Sequence, residues 1–330
     1  MQGVFGRLLR IFVVYGVKII SLLFAVSIIS FVLVSASPVD PVQQYILNIG
    51  PVSPEQRMQI EAYWGVNEPP VERYLTWLGE LLQGDLGQSA LYRRPVADII
   101  AERFLNSLAL MACAWCLSGV IGFALGCVMG IHHNKWPDRI IKKVCYVLSS
   151  VPTFWRGLIF LLVFAVVLGW FPIGFSAPIG VPSDEVTIWQ RLHHLALPAF
   201  TLSLMSFANI ALHTRQKLID VLSSEYVLFA RARGETKRTI LRRHGLRNIL
   251  LPALTLQFAS FAELFGGSVL AENVFSYPGL GSAVSAAGLN SDVPLLLGIT
   301  LFSTLFVCVG NMIANLLYEV VDPQIREVGK

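Results

Sequence analysis

The sequence predicts an all-α integral membrane protein with six transmembrane helices. Three observations carry this. The 330 residues are 55% hydrophobic and only 14% charged, with a mean hydropathy of +0.63, whereas a soluble domain carries about 25% charged residues. The apolar residues fall in long runs, which makes a bilayer the expected solvent. Lys and Arg are crowded into some of the connecting segments and nearly absent from others.

Six runs are long enough to cross about 30 Å of hydrocarbon as a helix. They are residues 11–34, 105–131, 144–171, 195–212, 249–271 and 295–321. Helices are expected because hydrocarbon offers no water to satisfy backbone N–H and C=O groups. The first run follows Arg7 and Arg10 and ends near the small residues Val34-Ser35-Ala36-Ser37, as a secretory leader would. It is longer than a leader's apolar stretch of about 7–15 residues, so it reads as an uncleaved span. The five cysteines, Cys113, Cys116, Cys127, Cys145 and Cys308, lie in or beside apolar runs, which argues against a disulfide framework. Cys113 and Cys116 form a C-x-x-C without further ligands nearby and read as two small residues of a span.

Orientation follows from Lys and Arg. The connection 132–143 carries Lys135, Arg139, Lys142 and Lys143. The connection 213–248 carries nine, namely Arg215, Lys217, Arg231, Arg233, Lys237, Arg238, Arg242, Arg243 and Arg247. Residues 272–294 carry none, 172–194 only Arg191, and 36–104 is net acidic. Both termini and the basic connections are therefore expected in the cytoplasm. The predicted organisation is a tail and first span (1–35), an extended periplasmic segment (36–104), a five-helix core (105–322) with a cytoplasmic loop at about 213–248, and a cytoplasmic tail (323–330). In the outer segment, Ser53-Pro54-Glu55 reads as a helix start. Residues 74–82 read as a short amphipathic helix, and Gly84-Asp85-Leu86-Gly87 as a turn. No internal repeat is visible.

The basic loop carries more than charge. Ser223-Ser224-Glu225 supplies a cap and an early acidic residue. A short helix over 226–233 with an apolar face of Tyr226, Val227, Phe229 and Ala230 follows. Gly234 breaks it, 236–246 forms a second basic helix, and Pro252 sits just inside the fifth span. Arginines resting on headgroups would explain the charge but not the glycine between two helices, nor the apolar face.

Several blocks in this order resemble the permeases of ABC importers. They are Glu225-Tyr226-Val227, Ala230-Arg231-Ala232-Arg233-Gly234, Arg243-His244-Gly245-Leu246-Arg247-Asn248 and Leu251-Pro252. Upstream, Gly84-Asp85-Leu86-Gly87-Gln88-Ser89, Arg94-Pro95-Val96, Ser150-Val151-Pro152-Thr153-Phe154-Trp155 and Leu197-Pro198-Ala199 agree, as do Glu272 to Gly281 and Asp322-Pro323 downstream. More narrowly, they resemble the dipeptide/oligopeptide/nickel branch. The stretch 234–252 is longer than the general importer motif, as is usual in this branch, so Glu225 need not match that motif's glutamate. Arg233 stands where Lys is common.

The resemblance implies a type I importer permease. It implies a second, similar permease, two cytoplasmic ATPase subunits that bind ATP and Mg, and an external solute-binding protein, periplasmic or lipid-anchored. Glu225, Tyr226, Ala230, Arg231, Ala232, Arg233, Gly234 and His244 would form the ATPase-coupling loop. The chain has no G-x-x-x-x-G-K-[ST] phosphate loop, so it is expected to be no enzyme and to hold no cofactor of its own. A stand-alone channel or secondary transporter is the alternative, but such carriers usually show internal repeats. A membrane-embedded enzyme would need more polar groups at one depth than Glu263.

Ionisable groups at membrane depth are costly and point to function. Glu263, followed by Gly266-Gly267, is predicted mid-span, either lining the path or pairing across a subunit interface. His213, at the end of the fourth span, is a path candidate or a solvated residue. Arg156 is expected to snorkel to a surface. The run from Glu263 to Gly267 with Glu272-Asn273 is closer to nickel-type permeases, and His193-His194 is either a polar loop or a place to meet metal. On these grounds nickel or a metal chelate is slightly favoured over a short peptide as cargo.

Overall fold

The computed structural model describes residues 2–36, 42–43, 46, 50, 52–63, 68–182 and 184–321, with the backbone alone at 2–12, 60, 62–63, 262 and 315–321. The tail 323–330 with Pro323, and the rest of the outer segment, lie outside the described residues. Among the described residues every regular element is helical, apart from one isolated bridge between Gln88 and Pro95.

Helix α1 is continuous over Gln2–Ser35. In the outer segment, α2 is Pro54–Tyr63 and α3 is Pro70–Leu82. Ser53 caps α2 reciprocally: Gln56 N–H donates to Ser53 Oγ at 3.2 Å, and Ser53 N–H to Gln56 Oε1 at 2.9 Å. The turn expected after α3 is present. Gly84 and Gly87 have φ of +87° and +79°, and Gly87 N–H donates to Asp85 Oδ1 at 2.8 Å.

Helix α4 spans Val96–Ile131. Three helices, α1, α4 and the last, are long and apolar enough to cross a membrane, and the count reaches six when three bent pairs are each taken as one span. The first pair is α5 (Trp136–Ser150) with α6 (Thr153–Phe160, continued by a π-helical stretch, Leu161–Val167), at 109°. The sequence predicts one uninterrupted helix over 144–171. The break comes from Pro152, which drives Val151 out of the helical region to φ −88°, ψ 127°.

The second pair, α7 (Ile188–Ser203) with α8 (Phe207–Leu222), bends by 54°. Then come α9 (Glu225–Ala232) and α10 (Lys237–Ile240), which runs through a π-turn (Leu241–Leu246) into α11 (Arg247–Ala259). Helix α12 (Phe261–Val274) completes the third pair, with a bend of 57°. Helices α13 (Leu280–Leu289) and α14 (Val293–Val321) end the described chain.

The chain groups into two units, one up to Leu105 with Gly279–Val309, the other Asn106–Pro278 with the residues from Gly310. In the first, Val96, Ile99, Ile100, Leu280, Ala283, Leu295 and Ile299 form the core. Asp292, fully buried, accepts from Ser89 Oγ at 2.6 Å and Leu91 N–H at 2.9 Å. It thereby fastens the turn before α4 to the α13–α14 connection.

In the second unit, glycines of α4 let α8 approach closely. A Cβ on Gly122 would stand 2.8 Å from the Phe207 carbonyl oxygen, and one on Gly126 would stand 2.7 Å from that of Ala211. Small residues of this kind let helix backbones pack in a membrane. Trp115 Nε1 donates to the Gln257 carbonyl at 2.9 Å, and Gln257 Nε2 to the Trp115 carbonyl at 2.5 Å, locking α4 to α11.

Candidate functional site

The predicted helix–Gly–helix element is present, and its backbone explains the glycine. Helix α9 ends at Ala232, and Gly234 follows with φ +82°. Glu235 N–H donates to the Ala230 carbonyl at 3.1 Å and Gly234 N–H to that of Arg231 at 2.9 Å. These two bonds make a Schellman motif, whose left-handed position glycine fills without strain. A Cβ on Gly234 would meet nothing within 4 Å, so the demand there is conformational rather than steric.

The apolar face of α9 differs from expectation. Val227 and Ala230 are buried against Ile240, with Leu222 beside them. Phe229 and Leu228 instead point outward, 70% and 65% exposed, and Tyr226 is also exposed. The expected single face is therefore split into an inner edge that folds the loop and an outer edge that is free. Ser224 stands at the N-cap, but its Oγ donates to the Val221 carbonyl rather than capping the helix.

Of the predicted coupling residues, Glu225, Tyr226, Arg231, Ala232, Arg233 and Gly234 are exposed on α9 and its turn, while Ala230 is inside. Arg231 Nη2 donates to the Leu222 carbonyl at 3.2 Å. His244 lies in the π-turn, its ring 6.0 Å from that of Tyr226. The structure thus brings all eight onto one short helix and the segment leading into α11.

Glu263 does not sit in the middle of a straight span. The fifth span breaks at Ser260, and Glu263 falls in the first turn of α12. It is exposed and shares a stripe with Gly266, Leu270 and Asn273, at spacings that keep them on one helix face. Gly267 faces the other way, against Met205 and Leu202, where a Cβ would collide. His213 is exposed on α8, a different helix.

The reading of one polar residue is corrected. Arg156 does not snorkel; it is 6% exposed. Its Nη1 donates to the Leu204 carbonyl at 2.7 Å and its Nη2 to Thr153 Oγ1 at 2.9 Å. Leu204 ends α7 at a bend, where a carbonyl lacks its helical partner, and the guanidinium supplies the donor. In the pair His193 and His194 one ring nitrogen of each lies against a backbone carbonyl, His193 Nε2 2.9 Å from Trp170 and His194 Nδ1 2.8 Å from Gly174. Among the described residues no group of three or more His, Cys, Asp or Glu is placed to hold a metal.

Other polar contacts escape sequence reasoning. Glu272 is fully buried, and Ser107 Oγ donates to its Oε1 at 2.6 Å. Asp138 is also fully buried, under the guanidinium of Arg215. A lone acidic residue beside an apolar run was the available signal, but nothing local names its partner across 77 or 165 residues.

Residues 122–327 match the family described as binding-protein-dependent transport system inner membrane component. The chain is 37% identical over 309 residues to the oligopeptide transport system permease protein AppB of Bacillus subtilis (strain 168), covering 93% of this chain and 96% of that one. It is 34% identical over 310 residues, with the same coverage, to the glutathione transport system permease protein GsiC of Escherichia coli (strain K12). The same figures hold for GsiC of Shigella dysenteriae serotype 1 (strain Sd197). With its helices, its helix–Gly–helix loop and these relatives, the chain belongs to the binding-protein-dependent transport system inner membrane component family, as a multi-pass permease of ABC importers.

Proposed function

We propose that this permease carries short peptides or peptide-like solutes, driven by ATP that partner subunits hydrolyse. The relatives are named for oligopeptide and glutathione transport, and both cargoes combine amide groups with a charged amino terminus. Nickel and metal chelates are not favoured: no relative cited carries such a name, and both loop histidines are held on carbonyls. The working complex consists of this chain, a second homologous permease, two cytoplasmic ATPases binding ATP and Mg, and an external solute-binding protein. Both termini and α9 lie on the cytoplasmic side, in keeping with the Lys and Arg distribution.

The observation that carries the reading is the outward pair Leu228 and Phe229 on α9, beside a rigid Schellman turn. An amphipathic helix presented in this way fits a groove on a partner, and beyond the turn at Gly234 a continuous helical path runs from α10 through the π-turn into α11. Glu263, exposed on α12, is assigned to the translocation path, where water relieves the cost of its charge.

The test is co-purification and transport. The chain, expressed with its genomic neighbours, should bring down ATPase subunits, and vesicles containing the complex should accumulate a labelled tripeptide when ATP is inside. A Phe229→Glu variant should lose the ATPases. A chain that purifies alone and still moves solute would make it a stand-alone carrier. A cysteine introduced at Lys330 should react with an impermeant reagent only after cells are opened.

A further inference from the structure

The C-terminal turn of α9 carries an unusual residue. In a Schellman motif the residue after the left-handed glycine usually makes an apolar contact back onto the helix. Here that residue is Glu235, and its side chain is only 18% exposed. Its Oε1 lies 3.1 Å from Arg233 Nη2, and its Oε2 lies 3.5 Å from His244 Nε2. Both Glu235 Oε2 and His244 Nε2 are enclosed and have no hydrogen-bond partner among the described residues. They face each other just beyond bonding distance, so a modest approach satisfies both at once.

His244 belongs to the π-turn that feeds α11. π-turns inside helices recur at functional sites because they permit local shifts of register. A second tie crosses the same gap, where Asn248 Nδ2 donates to Tyr226 Oη at 3.2 Å. Helix α9 is thus tied to the entry of the fifth span by Tyr226 at its first turn, and Glu235, just past its C-terminal end, faces His244 of the same entry segment.

We propose that the Glu235 carboxylate and the His244 ring form a clasp that makes α9 and α11 move as one body, so that displacement of the coupling helix is delivered to the fifth span and to α12. Glu235 is a positioning residue: it acts through His244 and touches neither cargo nor nucleotide. Arg233, 72% exposed, shares the carboxylate from the solvent side. Its pairing with Glu235 lies within the turn itself, whereas the His244 contact joins two elements. This inference rests on the coupling role proposed above.

The experiment uses the intact complex with its ATPases, spin-labelled at Ala232→Cys and Leu250→Cys, one on α9 and one on α11. Without substitution, the distance between labels should be a single narrow population that stays unchanged between the nucleotide-free and ATP–vanadate states. Glu235→Gln or His244→Gln should raise a second, undocked population about 5-fold, as expected when a partly exposed contact to a carboxylate is lost. The double variant should do no more than either single one, because both remove the same interaction.

Restoration of the narrow population by the swapped pair Glu235→His with His244→Glu would support the clasp. Three results would overturn it: variants that leave the distribution unchanged, effects that multiply in the double variant, or an unsubstituted complex whose distance already changes with nucleotide. Failure of the coupling reading itself looks different, since the ATPases would then not co-purify with the unsubstituted chain.

Discussion

The guanidinium of Arg215 forks onto the carboxylate of Asp138, with Nε 2.6 Å from Oδ1 and Nη2 2.8 Å from Oδ2. The backbone N–H of Asn134 donates to the same carboxylate at 2.8 Å, which ties the α4–α5 connection to α8. Two parallel charge-assisted bonds in one plane are a strong, oriented form of ion pair. Removing Arg215 strands a carboxylate that is fully buried. Asp138→Ala should destabilise the detergent-solubilised protein by roughly 3 kcal/mol, the cost of breaking such a pair. Arg215→Lys should recover only part of the loss that Arg215→Ala causes, since an ammonium cannot fork. Thermal unfolding midpoints compare the variants.

The glycines of α4 and α12 make opposite predictions. A Cβ on Gly126 would stand 2.6 Å from Thr214 Cβ and 2.7 Å from the Ala211 carbonyl oxygen, neither of which is a flexible chain end. Gly126→Val should therefore force α4 and α8 apart, at a cost of about 1–3 kcal/mol. Gly266 faces open space, with nothing within 4 Å of a Cβ. Gly266→Ala should leave stability unchanged or raise it by up to about 1 kcal/mol, as alanine is the better helix former. Equal effects at the two positions would contradict the packing described.

Gly234 separates backbone strain from contact. Its φ of +82° disfavours any side chain, yet no atom stands in the way. Gly234→Ala should cost about 1 kcal/mol, the strain of a left-handed residue, and Gly234→Asn less. The larger effect is expected in the assembled complex, where ATP hydrolysis stimulated by loaded binding protein should fall more with Gly234→Val than with Gly234→Asn. Unchanged stimulation in both would place the contact with the ATPase elsewhere.

Glu263→Gln preserves size and hydrogen bonding while removing the charge. With the side chain exposed on α12, uptake of a labelled tripeptide should fall several-fold, by an estimate of about 1 kcal/mol for a hydrated charge pair, while the complex still assembles. Failure to assemble would make Glu263 a partner across a subunit interface. Unchanged uptake would remove it from the path.

The sequence alone determined the all-α membrane character, the apolar runs, the helix–Gly–helix loop and the family. Each of these is written in contiguous residues: apolar length sets a span, Ser53 and Gln56 set a cap, and Gly234 sets a turn. Only the tertiary structure decided which spans bend, which face of α9 stays free, and where the buried charges find partners. The run 144–171 read as one span, and the structure breaks it at Pro152 with a bend of 109°. Leu228 and Phe229 could be told from Val227 and Ala230 only once Ile240 covered one side of the helix. Arg156, Asp138 and Glu272 look alike in the sequence, as single charges near apolar runs. Their roles come from Leu204, Arg215 and Ser107, residues far along the chain. A hydrogen bond depends on distance in space, which local sequence does not encode.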